Sequence, residues 1–497
     1  MKKTAFIFVL ATLLSACTKD LTSLNNDPKN PLEVTSASLF TQGQRQMCNV
    51  LTSSNVNINV FRLIEQQWQE TTYTDESNYD FVTRQIPDEF WREFYALSLV
   101  NLERAKKVVP TDVTDPKVQK NDIAIADILE VYDYYYLLTT YGNIPYSQAL
   151  DINNVFPKFD DAKTVYNDLL ARLDADIAAL DPSVGSYENG ADVFYNGDVV
   201  SWQKFANTFK LKMGITIADS DPTKAQTVIT SAVAGPGGLF TSNEDNATFK
   251  YVASPPNTNP VWVDLVQSGR QDFVAATTVL SYMHADTTST GAQDPLRDPR
   301  LPYYFTTNSD GYYFGGDVGE SASPFNAYSK PSGPALDKSS IGKVTNADFP
   351  ALMLDYAETE FNLAEAAARG WIGGSAATHY NNGILASMDY WGVAQADATA
   401  YTLLPNVLYT GGALPVQLQQ IALQKYLALY NRGVDAWIET RRLDYPVLTP
   451  GPDANSDFPV RFTYPINEQN INEDNYNQAS TAIGGDDLTT KLFFDVN

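Results

Sequence analysis

The chain is expected to be mainly α-helical, with tetratricopeptide-like helical hairpins set in an α-helical body, loop-rich insertions and a few short β-strands. Three observations lead there. Apolar residues recur at helical spacing over long stretches of the first third and the last third. One pair of such stretches is alanine-rich and separated by a short glycine-containing loop, the pattern of two helices packed closely as a hairpin. Between about 235 and 345 the pattern changes to Gly, Pro, Asn and short aromatic runs, which suit loops and strands.

The hairpin is the clearest element. From Asp348 to Gly370, Met353, Ala357, Phe361, Ala364 and Ala368 form one apolar stripe, with Glu358, Asn362, Glu365 and Arg369 opposite. Asp348 is placed to cap the first turn, Pro350 fits within it, and Gly370 is a stop. The acidic residues and Arg369 read as an exposed ion-pair row. Ala376, Tyr380, Ile384 and Met388 supply the facing helix. A unit of this kind must stack on others to bury its faces.

Other helices are expected at about 34–53, 60–72, 88–109, 117–141 and 160–180. Phe90, Phe94, Leu97, Asn101 and Ala105 mark one face of the third. Ile125, Leu129, Tyr132, Tyr136 and Thr139 mark one face of the fourth. Trp202, Phe205, Phe209 and Met213 mark a further helix that Ser201 can cap, and Leu418, Ala422, Tyr426 and Leu429 another over about 416–432. In the loop-rich region, Tyr303-Tyr304-Phe305 and Tyr312-Tyr313-Phe314 flank Asn308-Ser309-Asp310-Gly311 and read as a β-hairpin. Asp298 and Arg300 read as an ion pair bracing a proline turn.

Lys2 and Lys3 precede an apolar run from Ala5 to Leu14, the length of a signal-peptide core and too short to span a bilayer. It ends in Leu14-Ser15-Ala16-Cys17, which resembles a bacterial lipobox, so residues 1–16 are expected to be removed and Cys17 lipidated. Residues 17–33, with Asn25-Asn26-Asp27-Pro28, read as a polar tether, and 34–497 as one folded domain. With Cys17 lipidated, Cys48 is the only thiol left, which excludes a disulfide framework and suits a small buried residue.

With 497 residues, 44% of them hydrophobic, the chain can bury a substantial core. Its formal charge of −25 repels phosphate backbones, so nucleic acid is not an expected partner. His284 and His379 are far apart without cysteine partners, and no P-loop, dinucleotide fingerprint or G-x-S-x-G elbow is present. The reading therefore calls for no metal, no cofactor and no catalytic residue. A glycosidase carboxylate pair is the enzymatic alternative that 59 acidic residues leave open, and a scaffold that binds only a protein partner is the structural one.

Several strings carry a family resemblance. Tyr356-Ala357-Glu358 through Phe361-Asn362-Leu363-Ala364-Glu365-Ala366 to Arg369-Gly370-Trp371 resembles a helix of the SusD/RagB family of Bacteroidetes outer-membrane nutrient-binding lipoproteins. Gly142-Asn143-Ile144-Pro145-Tyr146-Ser147-Gln148-Ala149, Asp298-Pro299-Arg300-Leu301-Pro302, Trp437 to Arg442 and the tail around Tyr464 and Asn475-Tyr476-Asn477 are similar to other family elements, in family order and behind a lipobox. The resemblance implies a surface-exposed outer-membrane lipoprotein. It also implies a SusC-like TonB-dependent transporter as partner and an oligosaccharide or oligopeptide as ligand. Thr18-Lys19-Asp20 partly resembles the family's surface-export signal.

Such a binder needs exposed rings and amides. Trp68, four after Ile64 and seven after Phe61, reads as core. The candidate ligand-binding residues are Tyr73, Asn78 and Tyr79, past the end of the second helix, and Trp262, Tyr312, Tyr313 and Tyr328 in the loop-rich region.

Overall fold

A computed structural model describes residues 34–285 and 294–497, so the leader, Cys17 and the tether lie outside the described residues. The longer helices are α1 (Ser36–Thr52), α3 (Pro116–Tyr141), α4 (Ala162–Ala179), α5 (Val199–Thr216) and α6 (Pro222–Val233). Between α1 and α3 runs α2, a continuous rod made of Ile86–Arg92, a π-helical stretch Glu93–Leu99 and Val100–Asp112. In the second half come α7 (Tyr356–Ala368), α8 (Ala376–Trp391), α9 (Leu414–Ala428), α10 (Gly433–Leu443) and α11 (Glu473–Ile483). Among the described residues, six short strands form three separate antiparallel pairs: β1 (Trp68–Glu70) with β5 (Phe273–Ala275), β2 (Ile144–Pro145) with β3 (Phe159–Asp160), and β4 (Ala247–Phe249) with β6 (Ala351–Leu354). The fold is mainly α, as expected from the periodicity.

The helices pack as antiparallel hairpins, with α7 on α8 and α5 on α6 as the plainest cases. Close approach depends on glycine. A Cβ on Gly383 would lie 2.9 Å from the Phe361 ring, and one on Gly214 would lie 2.6 Å from Ile229. One connected core, running from Leu39 to Phe494, joins the first helices to the tail. The tail is tied back to α3 through Phe462 N, which donates to Thr140 O at 3.0 Å, and through the buried Arg461, paired with Asp486 at 2.9 Å.

Several boundaries differ from the sequence reading, each for a local reason. α7 begins at Tyr356, capped by Asp355, whose Oδ1 accepts from Glu358 N at 2.8 Å, and not at Asp348. Met353 belongs to β6, which pairs with β4 across more than a hundred residues of sequence. Asp198, not Ser201, caps α5. The helix expected over 60–72 is only Phe61–Ile64, because Gln66 takes a left-handed φ of 50° and Trp68–Glu70 pairs with β5. Trp68 is core, as expected, and its Nε1 donates to Tyr430 Oη at 3.1 Å. In α2 the π-helical turn shifts the face by a residue, so that Ser98, Leu99 and Leu102 point inward and Leu97 and Asn101 are only half-buried. The β-hairpin expected at 303–314 is not formed. Leu301–Tyr304 is a helical turn, while Phe305 bridges to Pro331 and Phe314 O accepts from Ser329 N.

The largest correction concerns the polar side of α7. Glu358 and Glu365 are buried, each 1% exposed, and do not form a surface row. Lys212 of α5 reaches Glu358 at 2.9 Å, and Arg432, at the start of α10, reaches it at 2.7 Å. Both cations also hold Asp435. Two turns on, Arg442 grips Glu365 with two bonds of 2.8 and 2.6 Å and Glu439 with one of 2.7 Å. Lys425 of α9 bonds Glu439 at 2.8 Å and Asn362 at 2.7 Å, and Arg369 ties Glu365 to Asp219. Burial opposes ionisation of Glu365, but Arg442 and then Arg369 outweigh it and hold the carboxyl down at about 2. Lys212 and Arg432 do the same for Glu358.

Two expectations follow. Replacing Arg442 by Met leaves Glu365 and Glu439 buried without their main cation and costs about 3–5 kcal/mol, read from denaturant midpoints. The depressed carboxyls contribute stability that is fully present above their ordinary value of 4.5 and lost as the pH falls through about 2. Melting curves taken downward from pH 5 therefore show a steep loss for the wild type, and a shallower one for Glu365→Gln.

Candidate functional site

The loop-rich region is organised on the small sheet β1–β5. Trp68 pairs with Ala275 and Glu70 with Phe273. On the far side of β5, Ala275 N donates to Ser329 O and Gly316 N to Ala275 O, both at 2.8 Å. Segment 316–322 then wraps the ends of β1: Gly319 N donates to Gln69 Oε1 at 3.2 Å and Ser321 Oγ to Thr71 O at 2.7 Å. Backbone from three distant stretches thus fixes the loops that carry the exposed rings.

From Tyr312 to Phe314 burial changes residue by residue. Tyr313 turns into the core at 6% exposure, while Phe314 is 40% exposed. Phe314 stacks on Tyr328, with centroids 5.1 Å apart and planes 27° apart, and Tyr312 meets Phe314 edge-on at 6.3 Å. Asn308 shapes the turn below them, its N–H donating to Tyr312 O at 2.8 Å and its Nδ2 to Ala327 O at 3.1 Å. The predicted Tyr312 and Tyr328 therefore lie together around a ring that the sequence reading did not select. The signal for Phe314 was its place beside Tyr313: with that ring inward, Phe314 is left exposed and Tyr312 half-buried.

Tyr73 follows β1 and is 73% exposed. It stands on a pocket of about 220 Å3 whose other walls include Glu70, Glu76, Arg84, Arg270 and Asp272. Glu70 and Glu76 are buried, at 4% and 0% exposure. Glu70 Oε2 accepts from Ser77 N and Ser77 Oγ, both at 2.9 Å. Burial, together with contact with Glu76, pushes the Glu70 carboxyl well above its ordinary range. Arg84 pairs with Glu76, and Arg270 with Asp272 at 2.7 Å.

The remaining candidates sit differently. Asn78 is buried, its Nδ2 donating to Gly319 O at 2.8 Å and Thr74 O at 3.0 Å, so it holds the loop that carries Tyr73. Tyr79 is only 2% exposed, packs near Phe81, and takes a left-handed φ of 64° that turns it inward. Trp262 is half-buried on the short helix Pro260–Trp262, beside the end of α1. Among the described residues no ring contact joins Trp262 to the Phe314–Tyr328 pair. Cys48 is buried and free, and burial pushes its thiol up. Asp298 and Arg300 do form the expected pair, at 2.6 Å, fully buried and extended by Ser387 and Gln424.

Among the described residues no group of three or more His, Cys, Asp or Glu is arranged to hold a metal ion. Nor, among them, is any helix long and apolar enough to cross a membrane. What the described loops offer is a stack of rings around Phe314 and, beneath Tyr73, a small polar pocket.

Burial separates the two tyrosines near β1. Tyr73→Ala is expected to leave stability within about 0.5 kcal/mol, whereas Tyr79→Ala costs about 3–5 kcal/mol as a core truncation, both measured by urea unfolding.

No curated protein matches the chain. Solved structures do. A chitin-binding protein superposes with a TM-score of 0.76 at 27% identity, covering 93% of this chain and 100% of its own. A chitin-binding SusD homologue from Flavobacterium johnsoniae gives 0.74 at 24% identity, over 92% and 99%. A SusD homologue from Parabacteroides distasonis gives 0.77 at 20% identity, over 93% and 97%. The family described as starch-binding and associating with the outer membrane matches residues 28–465, almost the whole folded chain. With its hairpin body and family strings in order, this chain belongs to the SusD-like family.

Proposed function

We propose that the protein is a lipid-anchored glycan-binding protein of the outer cell surface, which captures oligosaccharides without cleaving them and delivers them to a SusC-like TonB-dependent barrel. The observation that carries the binding step is the stacked Phe314–Tyr328 pair, Phe314 exposed and Tyr328 half-buried, with the half-buried Tyr312 at its edge. A pyranose face is apolar and matches a ring in size, so rings held in advance bind it at little entropic cost. Their loops are pinned by backbone bonds to β5, which gives that rigidity. Tyr73, on the loop that follows β1, is the second stacking ring, and Asn78 holds that loop. The chitin-binding relatives support a β-linked hexosamine oligomer as first ligand to try. Delivery to a barrel and anchoring through Cys17 rest on the family and on the lipobox.

Replacing Phe314 and Tyr328 together by Ala is expected to weaken binding of N-acetylglucosamine oligomers about tenfold or more, with an unchanged melting temperature. Isothermal titration checks it; an unchanged affinity sinks the platform. Binding of oligopeptides in place of every saccharide tried would move the ligand to the other class the family resemblance allows. Cys17→Ala is expected to release the protein from outer-membrane fractions into the soluble pool, read by fractionation and blotting.

A further inference from the structure

We infer that the pocket beneath Tyr73 reads a positively charged amino group, so that the preferred ligand is a glycan carrying unacylated amino groups, of the glucosamine class. The inference rests on the glycan-binding reading above and narrows its ligand. Three carboxyls line the pocket, and two of them have a cation of their own: Glu76 has Arg84, and Asp272 has Arg270. Glu70 has none. Its donors are the N–H and hydroxyl of Ser77, and its neighbour is the carboxyl of Glu76.

Both glutamates are almost wholly removed from water, and Glu76 Oε2 receives no hydrogen bond. Burial first, and then the adjoining Glu76 carboxyl, oppose ionisation of Glu70, so Glu70 is the group that keeps its proton. With Glu70 protonated, the charged groups around it, Glu76, Arg84, Arg270 and Asp272, sum to zero. With Glu70 ionised there is one surplus negative charge, which one ammonium group neutralises. A hydroxyl or an acetamide supplies a hydrogen bond but no charge, and leaves the retained proton in place. The carboxyls here are not arranged for a metal ion. A sugar ring resting on the exposed Tyr73 stands at the mouth of this pocket, where a ring substituent is the group that enters. The proton balance is simple: the ammonium binds, Glu70 ionises, and its proton passes to the buffer.

The test compares the glucosamine tetramer, the N-acetylglucosamine tetramer and cellotetraose on the mature chain by isothermal titration. It is run below the amine's own pKa, in two buffers of different ionisation enthalpy. The expected result is about tenfold tighter binding of the glucosamine tetramer than of its acetylated form. That binding should release about one proton, seen as a buffer-dependent enthalpy. Glu70→Gln, which mimics the protonated residue and keeps its bonds to Ser77, should lose both the preference and the proton release. Equal or weaker binding of the glucosamine tetramer, or a preference that survives in Glu70→Gln, overturns the inference while leaving the glycan reading standing. If none of the three saccharides binds, both fall together.

Discussion

The structure depends on a buried lattice of charges. Helices α5, α7, α9 and α10 meet through Lys212, Glu358, Glu365, Lys425, Arg432, Asp435, Glu439 and Arg442, nearly all of them out of contact with water. Burying one charge is prohibitive unless opposite charges and hydrogen bonds meet it at once. The lattice meets that condition by interlocking, with Glu358 and Asp435 each holding both Lys212 and Arg432. Apolar side chains would pack the same space at lower desolvation cost, but they would slide. Charges with fixed partners allow one register between four helices, and that register sets where the loops between them emerge.

The same logic separates body from site. The helical body is held by contacts between residues hundreds apart, among them Tyr136 with Asp435 at 2.7 Å and Arg441 with Thr139 O at 2.8 Å. The exposed rings are held by only a few backbone bonds to the β1–β5 pair. A binding surface built this way can change its rings without disturbing the helices, because each exposed ring gives up little burial when replaced. Solved relatives at 20–27% identity that keep the same fold fit that division.

Much of the body was legible in the sequence. Helix existence followed from the 3.6-residue period, and α1, α3 and α4 fell within two residues of the expected bounds. What period alone could not tell was which polar residues are buried. The Glu358, Glu365 and Arg369 spacing is the same for a solvated row and for one face of a buried lattice, and only partners on α5, α9 and α10 distinguish them. Strand pairing was invisible for a related reason: β1, β4 and β6 are three or four residues long, and their partners lie about a hundred to two hundred residues away. Periodicity over so few residues does not separate strand from helix end.

The site was legible only in its region. Loop aromatics were the right place to look, yet exposure there is decided residue by residue, by left-handed φ angles and other local geometry that composition does not carry. Tyr73 and Tyr79 have similar polar neighbours in the sequence, but one is open to solvent and the other is core. Tyr312 and Tyr313 are adjacent, yet the first is half-buried and the second is core. The carboxyl pair is the further case. Glu70 and Glu76 are unremarked in a chain of 59 acids, and their chemistry exists only because β1 ends in a turn that folds one onto the other, away from water. Glu70 fastens the turn after β1 through its two bonds from Ser77, but a buried carboxyl with no cation of its own contributes neither an ion pair nor apolar burial. Its place beside the most exposed tyrosine of the loop region is better accounted for by a ligand that completes it than by any demand of the fold.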